Sequence, residues 1–159
     1  MFPRYFEDFQ ELVDGAPIEL GSHAFTGDSI VEFACEYDPQ PMHTDPEQAR
    51  VSIYGGLIAS GWHTAAIYMR MLVDAVIGGS ESLGSPGIEN LRWIKPVRPG
   101  DTLRGRFTVL EARPSNSRPD RGIVRSRGEM VNQEGEVVMQ LEAVNFFGRR
   151  LWAPPGDWE

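Results

Sequence analysis

The sequence predicts an α+β fold in which an antiparallel sheet wraps one long buried helix. Three observations predict it. The segment WHTAAIYMRMLVDAVIGG, from Trp62, carries apolar residues at helical spacing. From residue 88 onward the pattern changes to alternation, as in TLRGRFTVLEA, where Leu103, Phe107 and Val109 share one face and Arg104 and Arg106 the other. The alternating runs are joined by short connections, which favours antiparallel neighbours. One helix on one face of such a sheet is a two-layer arrangement with a single core.

The elements follow in order. PIELGSHAFT, residues 17–26, alternates briefly and reads as a first strand. Asp28 is expected to cap a helix through Ile30, Val31 and Phe33, which ends before Asp38-Pro39 because the residue before proline resists the helical basin. DPQPMHTDP, residues 38–46, reads as neither helix nor strand. Thr44 or Asp45 then caps a second short helix, with Pro46 at its first position and Glu47 complementing the dipole. YGGLIASG, residues 54–61, is a glycine-bearing loop into the long helix. In that helix Trp62, Ala65, Ala66, Met69, Leu72, Val73 and Val76 are expected inward, His63, Arg70 and Asp74 form a polar stripe, and Gly78-Gly79 ends it. A helix this apolar is expected to be buried almost all round.

Four strands follow. GIENLRWIKPV is stopped by Pro99-Gly100-Asp101, TLRGRFTVLEA runs to a loop at residues 113–122, and a third strand covers about Ile123 to Val131. After a turn at Asn132 to Gly135, EVVMQLEAVNFF places Val137, Met139, Leu141 and Ala143 inward and Glu136, Gln140 and Glu142 outward. Residues 1–150 are expected to form one domain, and residues 151–159, with two prolines, an irregular tail.

The chain of 159 residues is long enough for one domain with a real core. MFPRYFEDFQELVDG carries Glu7, Asp8 and Glu11 among its apolar residues and is not read as a signal peptide. No apolar run approaches the roughly 20 residues a bilayer needs, so no membrane association is expected. The one cysteine, Cys35, excludes an internal disulfide and fits a reducing compartment, so a cytoplasmic location is expected. A net charge of -8 argues against nucleic acid as a partner. The charge is uneven: 3 basic against 14 acidic residues over 1–90, a net -11, and 12 against 9 over 91–159, a net +3. Arg92, Lys95, Arg98, Arg104 and Arg106 lie within one stretch, either as a solvated sheet face or as a contact for an anionic ligand tail.

Two features carry chemistry. Pro39 and Pro41 stiffen the backbone between Asp38 and His43, so a carboxylate and an imidazole are held at low entropic cost where together they can grip a water. The alternative is an Asp that caps a turn and a buried His. The second feature is the glycine loop that ends at Gly61, where backbone N–H groups at the start of a helix can stabilise a developing negative oxygen. Gly56 and Gly61 have no side chains to obstruct a ligand; the alternative is a tight connection. A water-gripping pair and an oxyanion donor are the parts needed to add water across a double bond conjugated to a carbonyl.

FACEYDPQPMHTDPEQA followed by YGGLIASGWHTA resembles the MaoC-like, or (R)-specific enoyl-CoA hydratase, branch of the hotdog fold. The family motif, often D-x-x-P-x-H-x-D, is present in full, and WIKPVRPGDTL resembles the strand pair after the helix. The resemblance spans about residues 15 to 148. It implies a homodimer whose sheets join, with further pairing of dimers left open, and a CoA or acyl-carrier-protein thioester as substrate. It implies that Asp38 and His43 activate water for a trans-2-enoyl thioester, that the Gly61 N–H bonds the thioester oxygen, and that no metal or other cofactor takes part. Two positions depart from the family: Ser60 stands where a histidine is common, and Met69 where some hydratases carry a serine. Tyr54, Trp62 and Met69 are expected to shape the acyl pocket or simply to fill core. The competing readings are a hotdog thioesterase and a non-catalytic module that binds acyl thioesters. A metal site from Asp38, His43 and Asp45 is possible by residue type alone.

Overall fold

The computed structural model describes residues 2–150; the expected tail at 151–159 lies outside them. Five strands form one antiparallel sheet in the order β1-β3-β4-β5-β2: β1 (Ile18–Ala24), β2 (Gly87–Trp93), β3 (Thr102–Pro114), β4 (Arg121–Val131) and β5 (Val137–Gly148). The helices are α1 (Phe6–Gln10), α2 (Gly27–Tyr37), α3 (Pro41–Thr44), α4 (Pro46–Arg50) and α5 (Gly61–Ala75), the last followed by a 3-10 turn at Ile77–Gly79. A sheet curved around α5 is the hotdog arrangement.

Strands β3, β4 and β5 form the expected meander. Their shared face buries Leu103, Phe107, Val124, Met130 and Leu141. The β4–β5 turn is built by Asn132, whose side-chain oxygen accepts from the amides of Glu134 and Glu136, and by Gly135 at φ 81°. Strand β2 departs from expectation. It does not form a hairpin with β3; Pro99-Gly100-Asp101 belongs to a connection that crosses the sheet, and β2 pairs with β5 at the far edge. Burial in β5 is corrected too. Met130 pairs with Met139 and Val131 with Val137, so Val138 is a bulge residue and both Val138 and Met139 are buried. Glu142 is on the outer face as expected but is nearly covered, bonded by Arg125 at 2.5 Å and Arg127 at 3.3 Å.

Glycines in the sheet let α5 sit close. A Cβ on Gly128 would lie 2.2 Å from the Tyr68 hydroxyl, and one on Gly105 would lie 2.9 Å from the Met71 sulfur. The buried residues of α5 are therefore His63, Thr64, Tyr68, Met71 and Leu72; of the expected inward set, Leu72 and the C-terminal Val76 are buried, while Trp62, Ala66, Met69 and Val73 are exposed. His63 leaves the expected polar stripe, and only Arg70 and Asp74 remain on it as an exposed ion pair at 2.8 Å. Trp62, Met69 and Val73 are exposed at 58%, 46% and 37%. The sheet covers one face of the helix, so within this chain it is half-buried, not buried all round.

Two local corrections concern caps. Thr26, not Asp28, caps α2: its hydroxyl accepts from the Ser29 amide at 3.1 Å, and Ser29 reciprocates. Within DPQPMHTDP the chain makes one helical turn, α3, with Pro41 at its start, where a missing N–H costs nothing. Helix α1 was not expected. Its Phe6 and Phe9 are fully buried, and Phe9 stacks on Phe147 at 3.9 Å. Burying each phenyl ring contributes about 1.5–3 kcal/mol.

Candidate active site

The local sequence explains how Asp38 and His43 meet. Asp38 ends α2 with its amide bonded to the Ala34 carbonyl, and Pro39 prevents the helix from continuing. The Gln40 carbonyl then accepts from the amides of His43 and Thr44, which closes α3. This turn is tied to the glycine loop from both sides. The Ile58 amide donates to the Met42 carbonyl at 3.1 Å, and the Ile58 carbonyl lies 2.8 Å from His43 Nδ1. A carbonyl only accepts, so Nδ1 carries the proton in the neutral ring. Nε2 is then an acceptor, and it lies 3.4 Å from Asp38 Oδ2.

Three groups hold the carboxylate. Ser60 Oγ donates to Oδ2 and Gln40 Nε2 donates to Oδ1, each at 2.7 Å, with His43 beside them. The Ser60 bond, then the Gln40 bond and the nearby imidazole, hold the Asp38 carboxyl below its ordinary value against the opposing effect of burial. Asp38 is therefore ionised at neutral pH. Its free lone pairs and the His43 Nε2 lone pair together present two acceptors to the two hydrogens of one water, whose oxygen lone pairs are left pointing away. Asp45 has a different task. Its carboxylate caps α4 through the amides of Glu47 and Gln48 and the Gln48 side chain.

Ser60 also accepts from the Trp62 amide at 3.2 Å and so caps α5. Gly61 is the first residue of this 15-residue helix, where the amide has no intrahelical acceptor. Asp38, His43 and Gly61 line one cavity of about 470 Å³, with Tyr54 and Trp62 from the expected set. Three expected residues are not in its wall. Ser60 is fully buried behind it and acts on Asp38. Gly56 packs against the Arg98 guanidinium, which bonds the Tyr54 carbonyl at 2.6 Å. Met69 lies on the outer face of α5 and does not fill acyl space in this chain.

Sequence reasoning missed Gln40, Thr64 and Trp93. Thr64 and Trp93 line the cavity. The indole of Trp93 donates to the Gly61 carbonyl at 2.8 Å although 32 positions separate them. WIKPV carried no local signal for this, because the contact depends on where β2 lies in the sheet. The basic stretch does not gather into one patch. Lys95 lines the cavity and pairs with Glu136, Arg98 holds the loop, and Arg106 pairs with Glu19 at 3.2 Å. Among the described residues no helix is long and apolar enough to cross a membrane.

Comparison with known proteins points to one family. A family model for the MaoC like domain matches residues 8–127. The crystal structure of a MaoC-like dehydratase from Rhodospirillum rubrum is 45% identical with a TM-score of 0.79, covering 87% of this chain and 94% of that one. The uncharacterized protein YdeM of Bacillus subtilis is 32% identical over 132 residues, 83% of this chain and 92% of its own length. The 3-hydroxybutyryl-CoA dehydratase of Methylorubrum extorquens is 28% identical over 142 residues, covering 86% of this chain and 83% of that protein.

Proposed function

The chain belongs to the MaoC-like domain family, and from that premise we propose that it is a hydro-lyase that adds water to, or removes it from, a trans-2-enoyl thioester of CoA or acyl carrier protein. The observation that carries this reading is the pairing of His43 Nε2 with Asp38 Oδ2 at 3.4 Å in the same cavity as the first amide of α5. The paired acceptors orient a water. Its oxygen forms a bond to C3 as one of its protons passes to the pair, the C2–C3 double bond becomes enolate character, and C2 then takes up a proton. The Gly61 amide, at the positive end of the helix, stabilises the thioester oxygen while that charge exists. Dehydration reverses each step. The hydroxyl added at C3 and the proton added at C2 together make up one water, so the reaction calls on no cofactor.

A homodimer and a cytoplasmic setting belong to the same proposal. Strand β2 is an edge strand, and the exposed Ile88 and Ile94, with Trp62, Met69 and Val73 of α5, leave apolar surface for a second copy to cover. The single cysteine supports a reducing compartment.

The test is hydration of crotonyl-CoA and longer trans-2-enoyl-CoA thioesters, followed by loss of the enoyl absorbance. Asp38→Asn and His43→Ala are each expected to lower the rate by roughly 100-fold or more, the scale of a removed acid–base group. Full activity in both variants removes the assigned roles. Hydrolysis of saturated acyl-CoA without hydration favours the thioesterase, and tight binding without turnover favours the binding module.

A further inference from the structure

Three hydrogen bonds run head to tail from the sheet to the reactive carboxylate. The Trp93 indole N–H donates to the Gly61 carbonyl at 2.8 Å. The Trp62 amide, at the other end of that same peptide, donates to Ser60 Oγ at 3.2 Å, and Ser60 Oγ donates to Asp38 Oδ2 at 2.7 Å. Every donor points the same way along this chain, so each bond polarises the next. The peptide between Gly61 and Trp62 is its middle, pinned at the carbonyl by the indole and at the amide by the serine.

The indole holds Gly61 in a second way. A Cβ built on Gly61 would lie 2.3 to 2.6 Å from three atoms of the ring, which therefore occupies the space where a side chain would stand. A glycine at the first position of a helix has nothing of its own to fix it. The peptide before it is held inside the helix, where the Ser60 carbonyl accepts from the amides of His63 at 3.0 Å and Thr64 at 3.2 Å. Trp93 ties the same residue to the sheet. Its own backbone is anchored there: Trp93 pairs with Met139, and the next amide, Ile94, donates to the Val138 carbonyl at 2.8 Å.

We infer that Trp93 is a positioning residue for the reaction: acting through the Gly61–Trp62 peptide, it sets the oxyanion amide and the Asp38 carboxylate in one fixed relation. The inference rests on the reading of the Gly61 amide as the donor to a thioester oxygen. That amide helps only if it already points to where charge develops, because a preorganised donor costs no reorganisation during the reaction. Asp38 has a matching requirement, since a carboxylate swings about its last torsion unless its oxygens are bonded. Both requirements meet at one peptide, and Trp93 steadies it from strand β2, 32 positions away.

Trp93→Phe keeps a ring at this place and removes the N–H. A second variant carries benzothiophene in place of the indole, with sulfur where the N–H stood, and so keeps the packing. Each is read in three ways: kcat and KM for crotonyl-CoA, the acid limb of the kcat profile, and the infrared carbonyl band of bound butyryl-CoA carrying carbon-13 at C1. Butyryl-CoA is saturated and is not hydrated, so its band reports the hydrogen bond to the thioester oxygen without turnover. Binding to the wild type is expected to move the band to lower frequency, and binding to either variant to move it less. The kcat is expected to fall about 10-fold with KM changed by less than about 2-fold, because a misaimed donor loses part of what a missing one costs. The acid limb is expected to move to higher pH, since the Ser60 bond that holds Asp38 low is weakened. A band and a kcat at wild-type values in the benzothiophene variant overturn the inference. A KM raised at constant kcat also overturns it, because the ring would then act by touching substrate. A weakened band with an unmoved acid limb confines Trp93 to Gly61 and overturns the coupling to Asp38. If the wild type hydrates no enoyl thioester, the hydratase reading fails separately, and the carbonyl band decides alone. Butyryl-CoA that does not bind the wild type, or binds with its band unmoved, overturns the inference.

Discussion

Ser60 Oγ stands 2.7 Å from Asp38 Oδ2 and 3.2 Å from the Trp62 amide, so one hydroxyl both fixes the acid and caps the central helix. The start of α5 and the proline-stiffened turn are thereby locked to one another across 22 positions of sequence.

Ser60→Ala tests this link. It removes a helix cap and a hydrogen bond to a charged group, and is expected to lower stability by about 2 kcal/mol in urea unfolding. It also removes the largest influence holding the Asp38 carboxyl low. A depressed carboxylate contributes stability that is present above its unfolded value, near 3.8, and is lost as pH falls through the folded value. In Ser60→Ala the folded value moves back up, so the acid limb of the hydration profile is expected to shift to higher pH. An unshifted limb would show that Asp38 does not titrate in catalysis.

His63 predicts a separate pH dependence. It is buried between Phe33, on which it stacks at 4.6 Å, and Phe25 at 4.9 Å, and its Nδ1 has no hydrogen-bond partner among the described residues. Burial, and then the charge of His23, push its value down to about 4. Below the ordinary histidine value near 6.5 the unfolded chain takes up a proton that the folded chain refuses, so stability falls as pH drops from about 6.5 towards 4. The full effect is about 3 kcal/mol. His63→Phe is expected to flatten stability between pH 6.5 and 5 while costing little at neutral pH. Urea midpoints that fall equally in both proteins would refute this.

Gly122 sits under α1. A Cβ there would lie 2.0 Å from the Phe6 ring, which is fully buried. Gly122→Ala is expected to cost about 1–3 kcal/mol by overpacking. In a Phe6→Leu background the added cost should shrink, and a double-mutant cycle measures that coupling. Strictly additive losses would mean that the two residues do not press on one another.

Arg98 holds the glycine loop through the Tyr54 carbonyl and packs on Gly56, while its own amide bonds Asp101 at 2.8 Å. Arg98→Ala is expected to speed amide exchange over residues 54–57 and to raise KM more than it lowers kcat. The reacting groups keep their own hydrogen bonds in that variant. A drop confined to kcat would place Arg98 in the chemistry instead.

Much of the site was legible because its causes are local. Pro39 and Pro41 constrain the chain between Asp38 and His43 wherever that segment lies, and Asp45-Pro46 caps α4 through atoms two and three residues away. Alternation in β3 marked Leu103, Phe107 and Val109 correctly for the same reason: adjacent side chains on a strand point to opposite faces whatever the strand pairs with.

What escaped reading depends on contacts between distant segments. Helical spacing showed that α5 is amphipathic enough to pack, but both of its faces are apolar. The one that met the sheet was selected by Gly105 and Gly128, which leave room for Met71 and Tyr68. The same holds for β2, whose alternation does not encode a partner. Its placement beside β5 rather than β3 brought Trp93 onto Gly61 and completed the cavity. Sequence alone thus determined the pairing of Asp38 with His43 and the helix that follows it, since short-range sterics and capping act within a few residues. Tertiary packing alone decided which groups surround them, because that is settled by the close fit of surfaces far apart along the chain.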